Sequence, residues 1–503
     1  MVLALPHRAQ LAAQRISLAV VLASALALSG CGKGQTSTID VTVVGEASGL
    51  VQNGLRLSPA GQLVRSATAE GLVGFDAQGR VIPLLADRWI VTDDGLSFIF
   101  RLREGLWPDG TALTGEAARD ALLFALANLR STSLGADLSA IEDVRAMTGR
   151  VVEVRLAHPM PDLLDLLAQP ELALLRKDKG SGAMTMKRAG RSVLLQPVNP
   201  EKRGLQRDPG WADDMHTIRL SAMPADKAIK RFQDGEVSAV LGGTIADFAS
   251  ARSAGGLSGS ALRVDPVAGL FGLVVANGGA GGPLATPELR EAIAMAIDRD
   301  ALASALGIRE FATTSRVVPG GAGDAPASIG ERWANMDMAK RRATAEARLA
   351  AIKGKGGQPT ALRIALPIGT GADLIFAQLS ANFAAVGLKA VRVGQDAPAD
   401  LRLLDSAARY GRADWYLAQF ACSIGRRPCS EMADAKAAAA QAQSDPVKRV
   451  ALLEDAEAAL TLANTYIPLG YPVRWSLVSG DLPGFALNAR GWHPLTPIAL
   501  PPK

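Results

Sequence analysis

Aromatic residues are scarce in this chain of 503 residues: 7 Trp, 4 Tyr and 12 Phe make up 5% of it. Histidine and cysteine are scarcer still, with 4 and 3 residues. His158, His216 and His493 stand far apart, and none has a histidine four positions on or a neighbouring cysteine or glutamate at metal-ligand spacing. This argues against a zinc hydrolase and predicts that the protein holds no metal.

Nucleotide-binding and hydrolytic patterns are also missing. No Gly-x-x-x-x-Gly-Lys-Ser/Thr run occurs, which excludes a P-loop. Residues 256–260 resemble a nucleophile elbow only superficially, because the last glycine is absent and no apolar strand precedes them. The glycine-rich stretches at 278–282, 320–323 and 354–357 lack dinucleotide-binding spacing and are interpreted as loops. We therefore expect no cofactor and no enzymatic activity.

The chain has no large excess of positive or negative charge. Lys and Arg total 54 against 49 Asp and Glu, a net charge of +5. The densest basic run, Lys340-Arg341-Arg342, is followed by a mixture of Ala, Glu and Leu and is interpreted as a solvated helix face. Nucleic acid is therefore excluded as a partner, because it requires clustered basic residues. The length suits two to four domains with a substantial core.

An apolar stretch opens the chain. His7, Arg8 and Arg15 precede the apolar residues 16–28. This stretch is too short to span the roughly 30 Å of bilayer hydrocarbon, but it suits the core of a signal peptide. No later stretch has the length and apolarity of a membrane span.

The residues after this stretch resemble a bacterial lipobox. Ser29 and Gly30 precede Cys31, the residue whose thiol is acylated in that family of signals. We expect a signal peptide over 1–30, lipid attachment at Cys31 and a short tether over 31–37. An ordinary secretory signal with an unmodified cysteine is the alternative.

Two further cysteines, Cys422 and Cys429, flank a short segment that contains Gly and Pro. In an oxidising compartment such a pair favours a local disulfide. Two buried thiols remain the alternative.

Apolar periodicity predicts an α/β fold. Strand patterns over 362–368 and 388–393 enclose a helical spacing of apolar residues from Ile375 to Val386, which together predict a parallel β-α-β unit. Residues 269–276 are apolar on both faces, as in a buried strand. Other helix starts are marked by potential N-cap residues: Thr114, Thr286 and Asp298.

Four further segments form a recognisable set: Glu70-Gly71-Leu72-Val73, Val81-Ile82-Pro83-Leu84-Leu85-Ala86-Asp87-Arg88-Trp89, Trp107-Pro108-Asp109-Gly110-Thr111, and the helix from Leu289 to Arg299. They resemble the signatures of family 5 solute-binding proteins, which serve ABC importers of dipeptides, oligopeptides, nickel chelates and related solutes. The resemblance covers roughly residues 38–497.

The resemblance implies an α/β, two-lobed periplasmic binding protein fold of type II, with a subdomain inserted in lobe I. Lobe I would comprise 38–268, including the insertion, and 470–503, and lobe II would comprise 269–469. In this family a solute binds between the lobes, which close by hinge motion.

The resemblance also places Asp414, Trp415 and Tyr416 in a lobe II segment that faces the cleft. There a carboxylate can bind an α-ammonium group and aromatic rings can pack on the solute. Arg316 is a further candidate for an anionic group of the solute. Residues 417–422 lack the acid-rich Asp-Pro stretch of peptide binders, and the basic residues Arg426 and Arg427 follow. An anionic or neutral solute is therefore an alternative to a solute with an α-ammonium group. The alternative is a purely structural interpretation, in which Asp414 belongs to a turn and Trp415 is an aromatic residue of the core.

These observations predict a monomeric periplasmic lipoprotein, anchored in a membrane of the cell envelope, that takes part in transmembrane transport. It would pass a peptide-like or other small polar solute to the permease and ATPase of an ABC transporter. One alternative is a binding-protein fold that acts as a sensor or envelope scaffold without an importer. The other is an extracytoplasmic hydrolase, whose catalytic residues are missing.

Overall fold

The computed structural model describes residues 37–52, 54–255, 261–278, 284–320, 331–353, 361–425, 428–480 and 482–500. Residues from Thr38 onward form one unit. The expected signal peptide, Cys31 and the tether up to residue 36 lie outside the described residues. Within the ranges above, no helix combines the length and apolarity that crossing a membrane requires.

Strands and helices are interspersed along the described chain, with several runs of consecutive strands or helices. The strands are β1 (Thr38–Val44), β2 (Val73–Phe75), β3 (Val81–Pro83), β4 (Ala86–Val91), β5 (Ser97–Leu102), β6 (Ile141–Met147), β7 (Val151–Leu156), β8 (Met184–Ala189), β9 (Ser192–Pro197), β10 (Thr217–Met223), β11 (Ala239–Thr244), β12 (Leu262–Asp265), β13 (Gly269–Val275), β14 (Ala361–Leu366), β15 (Lys389–Gly394), β16 (Leu401–Ala407), β17 (Tyr466–Gly470) and β18 (Arg474–Val478). The helices are α1 (Pro59–Thr68), α2 (Gly115–Leu129), α3 (Ser133–Asp137), α4 (Leu163–Leu167), α5 (Trp211–Asp214), α6 (Ala225–Gln233), α7 (Phe248–Ala254), α8 (Pro287–Ala296), α9 (Arg299–Leu306), α10 (Met338–Lys353), α11 (Thr370–Ala384), α12 (Ala413–Ala418), α13 (Glu431–Ala442), α14 (Pro446–Ala463) and α15 (Leu495–Ala499).

A seven-stranded mixed sheet has the order β12-β18-β11-β1-β10-β9-β8. Strand β1 runs parallel to both β10 and β11. Strand β18, from the end of the chain, inserts antiparallel between β11 and β12. The sheet is therefore built from residues before 266 together with the C-terminal segment.

A five-stranded sheet has the order β15-β14-β16-β13-β17. Strands β14 and β15 are parallel and joined by α11, which confirms the predicted β-α-β unit. Strand β14 ends at Leu366, so the expected extension to residue 368 is wrong: Ile368 is 93% exposed, and Pro367 has no N–H to donate to a neighbouring strand. Strand β13 is buried as predicted, but it pairs antiparallel with β16 and β17.

Residues 73–172, here called the insert, separate β1 from β8. They carry an antiparallel sheet of order β4-β5-β7-β6, with helix α2 close to β6 and β7. Phe98, Phe100 and Leu102 alternate into its core, as their spacing predicts. The insert shares one apolar core with residues of α12 to α14, residues 413–463, here called the helical layer.

The three predicted helix caps are confirmed. Thr114 accepts a hydrogen bond from the Ala117 N–H at 3.2 Å, Thr286 accepts from Leu289 at 3.4 Å, and Asp298 accepts from Ala301 at 3.0 Å. Each side chain satisfies an N–H that has no partner within its helix, which fixes where the helix begins.

Candidate functional site

A cavity of about 1130 Å³ lies between the insert and the helical layer. One wall is formed by the end of α2, by α3 and by the start of β6, and the other by residues that follow Asp414 and by α13. The apolar part of the lining includes Leu126, Leu417 and Phe420. The volume slightly exceeds the roughly 300–1,000 Å³ of typical small-molecule sites.

Acidic side chains outnumber basic ones on the wall of this cavity. Among the residues that the structure describes, Glu142, Asp143, Asp414 and Asp434 border it, against the single guanidinium of Arg130. A cavity with this excess of carboxylates attracts a cationic group. This differs from the anionic or neutral solute that residues 417–422 left open, although Arg426 and Arg427 lie outside the described residues.

The four carboxylates differ in how strongly the protein already engages them. Asp143 pairs with Arg145 at 2.6 Å, and Asp434 accepts the N–H of Cys422 at 2.8 Å. Glu142 is exposed and has no ion-pair partner among the residues that the structure describes. Glu142 is therefore the carboxylate most available to a solute.

Asp414 stands in the first turn of α12, and its side chain borders the cavity with 17% of its surface exposed. It forms an ion pair with Arg449 of α14. A solute ammonium group would have to share this carboxylate with Arg449.

Trp415 and Tyr416 do not border this cavity. They are 0% and 1% exposed, and their rings meet edge to face with centroids 4.9 Å apart. Burial raises the pKa of Tyr416. In this conformation both rings belong to the apolar core, so direct contact with a solute stays a prediction that requires this packing to open.

Arg316 lies apart from the cavity as well. Its Nη2 is 3.6 Å from Oε2 of Glu457, whose side chain is fully buried. Burial raises the pKa of Glu457, while its Oε1 accepts the Val318 N–H at 3.0 Å. Arg316 thus faces the interior beside α14, and its predicted contact with a solute has no counterpart in this conformation.

Cys422 and Cys429 are joined as a disulfide, with Cα atoms 5.3 Å apart. Cys422 opens a short helical turn directly after Ala421, and Ala421, Ser423 and Ile424 line the cavity. The bridge therefore restrains one wall of the cavity.

Ion pairs between the insert and residues around α12 were not predicted from the sequence. Arg409 donates to Asp137 at 2.6 Å and to Ser133 at 2.8 Å, and Arg412 lies 3.2 Å from Asp162. Burial raises the pKa of Asp137 to about 6. This effect of burial is larger than the lowering of the pKa by the nearby charge of Arg409. These pairs hold the two walls of the cavity in register.

The sequence also predicts that the histidines hold no metal, and the structure places His493 away from the cavity. His493 is 4% exposed, and its Nε2 lies 3.0 Å from Oδ2 of Asp265. This pair links the C-terminal segment to β12 rather than lining the cavity. Among the described residues, no group of His, Cys, Asp and Glu is arranged to hold a metal ion.

Comparison with known proteins identifies the family. Residues 80–423 match the model for bacterial extracellular solute-binding proteins, family 5 Middle. The Escherichia coli K12 protein described as a probable deoxycholate-binding periplasmic protein, YgiS, is 32% identical over 199 residues, which cover 33% of this chain and 37% of that protein. The probable di/tripeptide-binding protein 5 of Pseudomonas aeruginosa UCBPP-PA14 is 23% identical over 489 residues, 85% of this chain and 89% of that protein.

Solved structures agree on the fold. The murein tripeptide binding protein MppA of Escherichia coli superimposes with a TM-score of 0.77 at 16% identity, covering 92% of this chain and 97% of that one. The superposition confirms the predicted two-lobed α/β fold, and the family match confirms the expectation of a solute-binding protein. The chain belongs to family 5 of the bacterial extracellular solute-binding proteins.

Proposed function

We propose that the protein captures a peptide-like or other small polar solute with a cationic group in the cavity between the insert and the helical layer. The observation that carries the proposal is the excess of carboxylates among the described residues of the cavity wall, in particular Glu142, which has no ion-pair partner among them. An α-ammonium group would bind such a carboxylate through charge-assisted hydrogen bonds. The aliphatic lining would accept small apolar side chains.

In this proposal the captured solute passes to the permease and ATPase of an ABC importer. A solute that prefers the closed arrangement of the lobes shifts the protein towards it, which distinguishes loaded from empty protein at the membrane. The protein would act as a monomer in the periplasm, held to an envelope membrane by the lipid on Cys31. The family assignment and the periplasmic description of YgiS support this location.

The proposed roles of the predicted site residues differ. Asp414 borders the cavity and would share an ammonium group with Glu142. Trp415, Tyr416 and Arg316 would support the wall from behind in the conformation described and reach a solute only after rearrangement.

Calorimetry with trialanine and N-acetyl-trialanine tests the proposal. Acetylation removes the ammonium charge and leaves the rest of the peptide unchanged, so we expect it to weaken binding at least tenfold. Glu142→Gln should weaken trialanine binding and leave the acetylated peptide unaffected. Glu116→Gln, at an exposed position on α2 outside the cavity, is the matched control.

Equal affinity for the two peptides, or the absence of binding by either, would contradict the cationic-solute proposal. Equal effects of the Glu142 and Glu116 substitutions would place the solute elsewhere. Mass spectrometry of small molecules released from the purified protein would then identify what it carries.

A further inference from the structure

We propose that a second cavity, on the side of the seven-stranded sheet, binds an amphiphilic anion: a single carboxylate or similar oxyanion head on an apolar body. This cavity measures about 640 Å³. Residues between 50 and 203 line it, and the helical layer and the five-stranded sheet contribute none of them. It is thus separate from the cavity of the proposed function and does not depend on that function.

Three residues that line this second cavity each carry a buried hydrogen-bond donor without a partner among the residues that the structure describes. The donors are Nη1 of Arg65, Nε1 of Trp107 and Oγ of Ser181. Their residues are only 7%, 2% and 8% exposed. A buried polar group without a partner destabilises a protein, and native structures contain few of them. A ligand that brings an acceptor group into this cavity would provide a partner for such donors.

Arg65 is oriented by its own fold. It stands on α1, and its Nη2 donates to the backbone carbonyl of Gly54 at 3.0 Å. This bond fixes one side of the guanidinium and leaves Nη1 for a ligand. A guanidinium held in this way suits a carboxylate or phosphate oxygen, because it offers directed donors with a permanent charge.

The charge of the lining selects an anion. Lys179, Lys202 and Arg203 add to Arg65 on the wall, against the single carboxylate of Asp178. Arg203 does pair with Glu70, but Glu70 also binds Arg103 at 2.7 Å, so two guanidinium groups share one carboxylate. The cavity therefore carries excess positive charge.

Apolar side chains form the rest of the wall and indicate the body of the ligand. Val64, Met184 and Val198 line the cavity, together with Leu106 and Met186, which are 49% and 37% exposed. An alkyl or ring system lying against these side chains would remove apolar surface from water. An inorganic anion would leave them uncovered, so an organic anion fits better.

Octanoate is the probe for the test, with octan-1-ol as its uncharged counterpart and inorganic phosphate as a bare anion. We expect the protein to bind octanoate in calorimetry more tightly than either of the others. Ser181→Ala should weaken octanoate binding roughly tenfold, because a hydrogen bond to a charged head is lost. The variant should keep its stability, since the hydroxyl has no partner in the described parts of the chain.

Ser476→Ala is the matched control. Ser476 is 1% exposed, and it lies on β18 outside the cavity. Its Oγ likewise has no partner within the described ranges. Its loss should leave octanoate binding unchanged, as should Glu142→Gln in the other cavity. The proposal is overturned if octanoate does not bind, if octan-1-ol or phosphate binds as well, if Ser181→Ala has no effect, or if either control matches it.

Discussion

Asp137 and Arg409 lie 272 residues apart in the sequence, and their side chains meet at 2.6 Å. The Asp137 side chain is completely buried, and the Arg409 side chain is 24% exposed. The pair joins the insert to the segment that leads into α12, and it thereby connects the parts of the chain that carry the two walls of the larger cavity. Gln419 adds a contact to the other oxygen of Asp137 at 3.5 Å.

Arg409→Met should lower the free energy of unfolding by about 3–5 kcal/mol, because it leaves Asp137 buried without its counter-ion. Denaturant unfolding measures the change. Arg145→Met, which breaks an exposed pair within the insert, is the control and should have little effect. The double variant Asp137→Asn, Arg409→Met should regain part of the loss. Equal stability of the Arg409 and Arg145 variants would contradict a structural role for the buried pair.

Stability should depend on pH through Asp137. Its pKa is about 6 in the folded chain, above the ordinary 3.8, so between these values the folded chain binds more protons than the unfolded chain. The free energy of unfolding should therefore fall as pH rises from 4 to 6 and then level off, a contribution of roughly 2–3 kcal/mol. Comparing wild type with Asp137→Asn at several pH values isolates this slope. The same slope in both proteins would contradict the raised pKa.

Trp415 and Asp414 should respond differently to substitution. Trp415→Ala should lower the free energy of unfolding by about 3–5 kcal/mol, because the ring is fully buried. Asp414→Asn should instead weaken solute binding by about 1–3 kcal/mol. Denaturant unfolding and calorimetry measure the two effects. Weaker solute binding in Trp415→Phe with unchanged stability would show that the ring contacts the solute after all.

Cys31→Ala should release the protein from membranes, because the acylated thiol is its proposed anchor. Fractionation of cells followed by detection of the protein in soluble and membrane fractions measures this. Ser29→Thr, which keeps the cysteine, serves as a control that should remain with the membrane. An unchanged membrane fraction for Cys31→Ala would refute lipid attachment.

Local features of the fold were predictable because the signals for them are local. Thr114, Thr286 and Asp298 each cap a helix by accepting a hydrogen bond from an N–H three residues later. The β-α-β unit is predicted by the apolar periodicity of about thirty consecutive residues. The resemblance to a known family then supplied the two-lobed arrangement.

Long-range features were not predictable in this way. Nothing near Asp137 in the sequence indicates Arg409, and the carboxylates of the larger cavity come from both the insert and the helical layer. Trp415 illustrates the same limit: a segment that resembles a ligand-facing loop can place its aromatic residue inward, since helical geometry decides which side of α12 is buried. The three donors of the second cavity also come from separate segments.

The position of β18 bears on how the protein is made. Strand β12 has β18 as its neighbour in the seven-stranded sheet, and Asp265 at its end binds both His493 and the N–H of Asn488. These partners follow β12 by more than 200 residues in the sequence. Strand β12 and the second edge of β11 therefore gain their hydrogen-bonding neighbour only when the C-terminal segment joins the sheet. Until β18 is in place, that edge of β11 stays open to pairing with other strands.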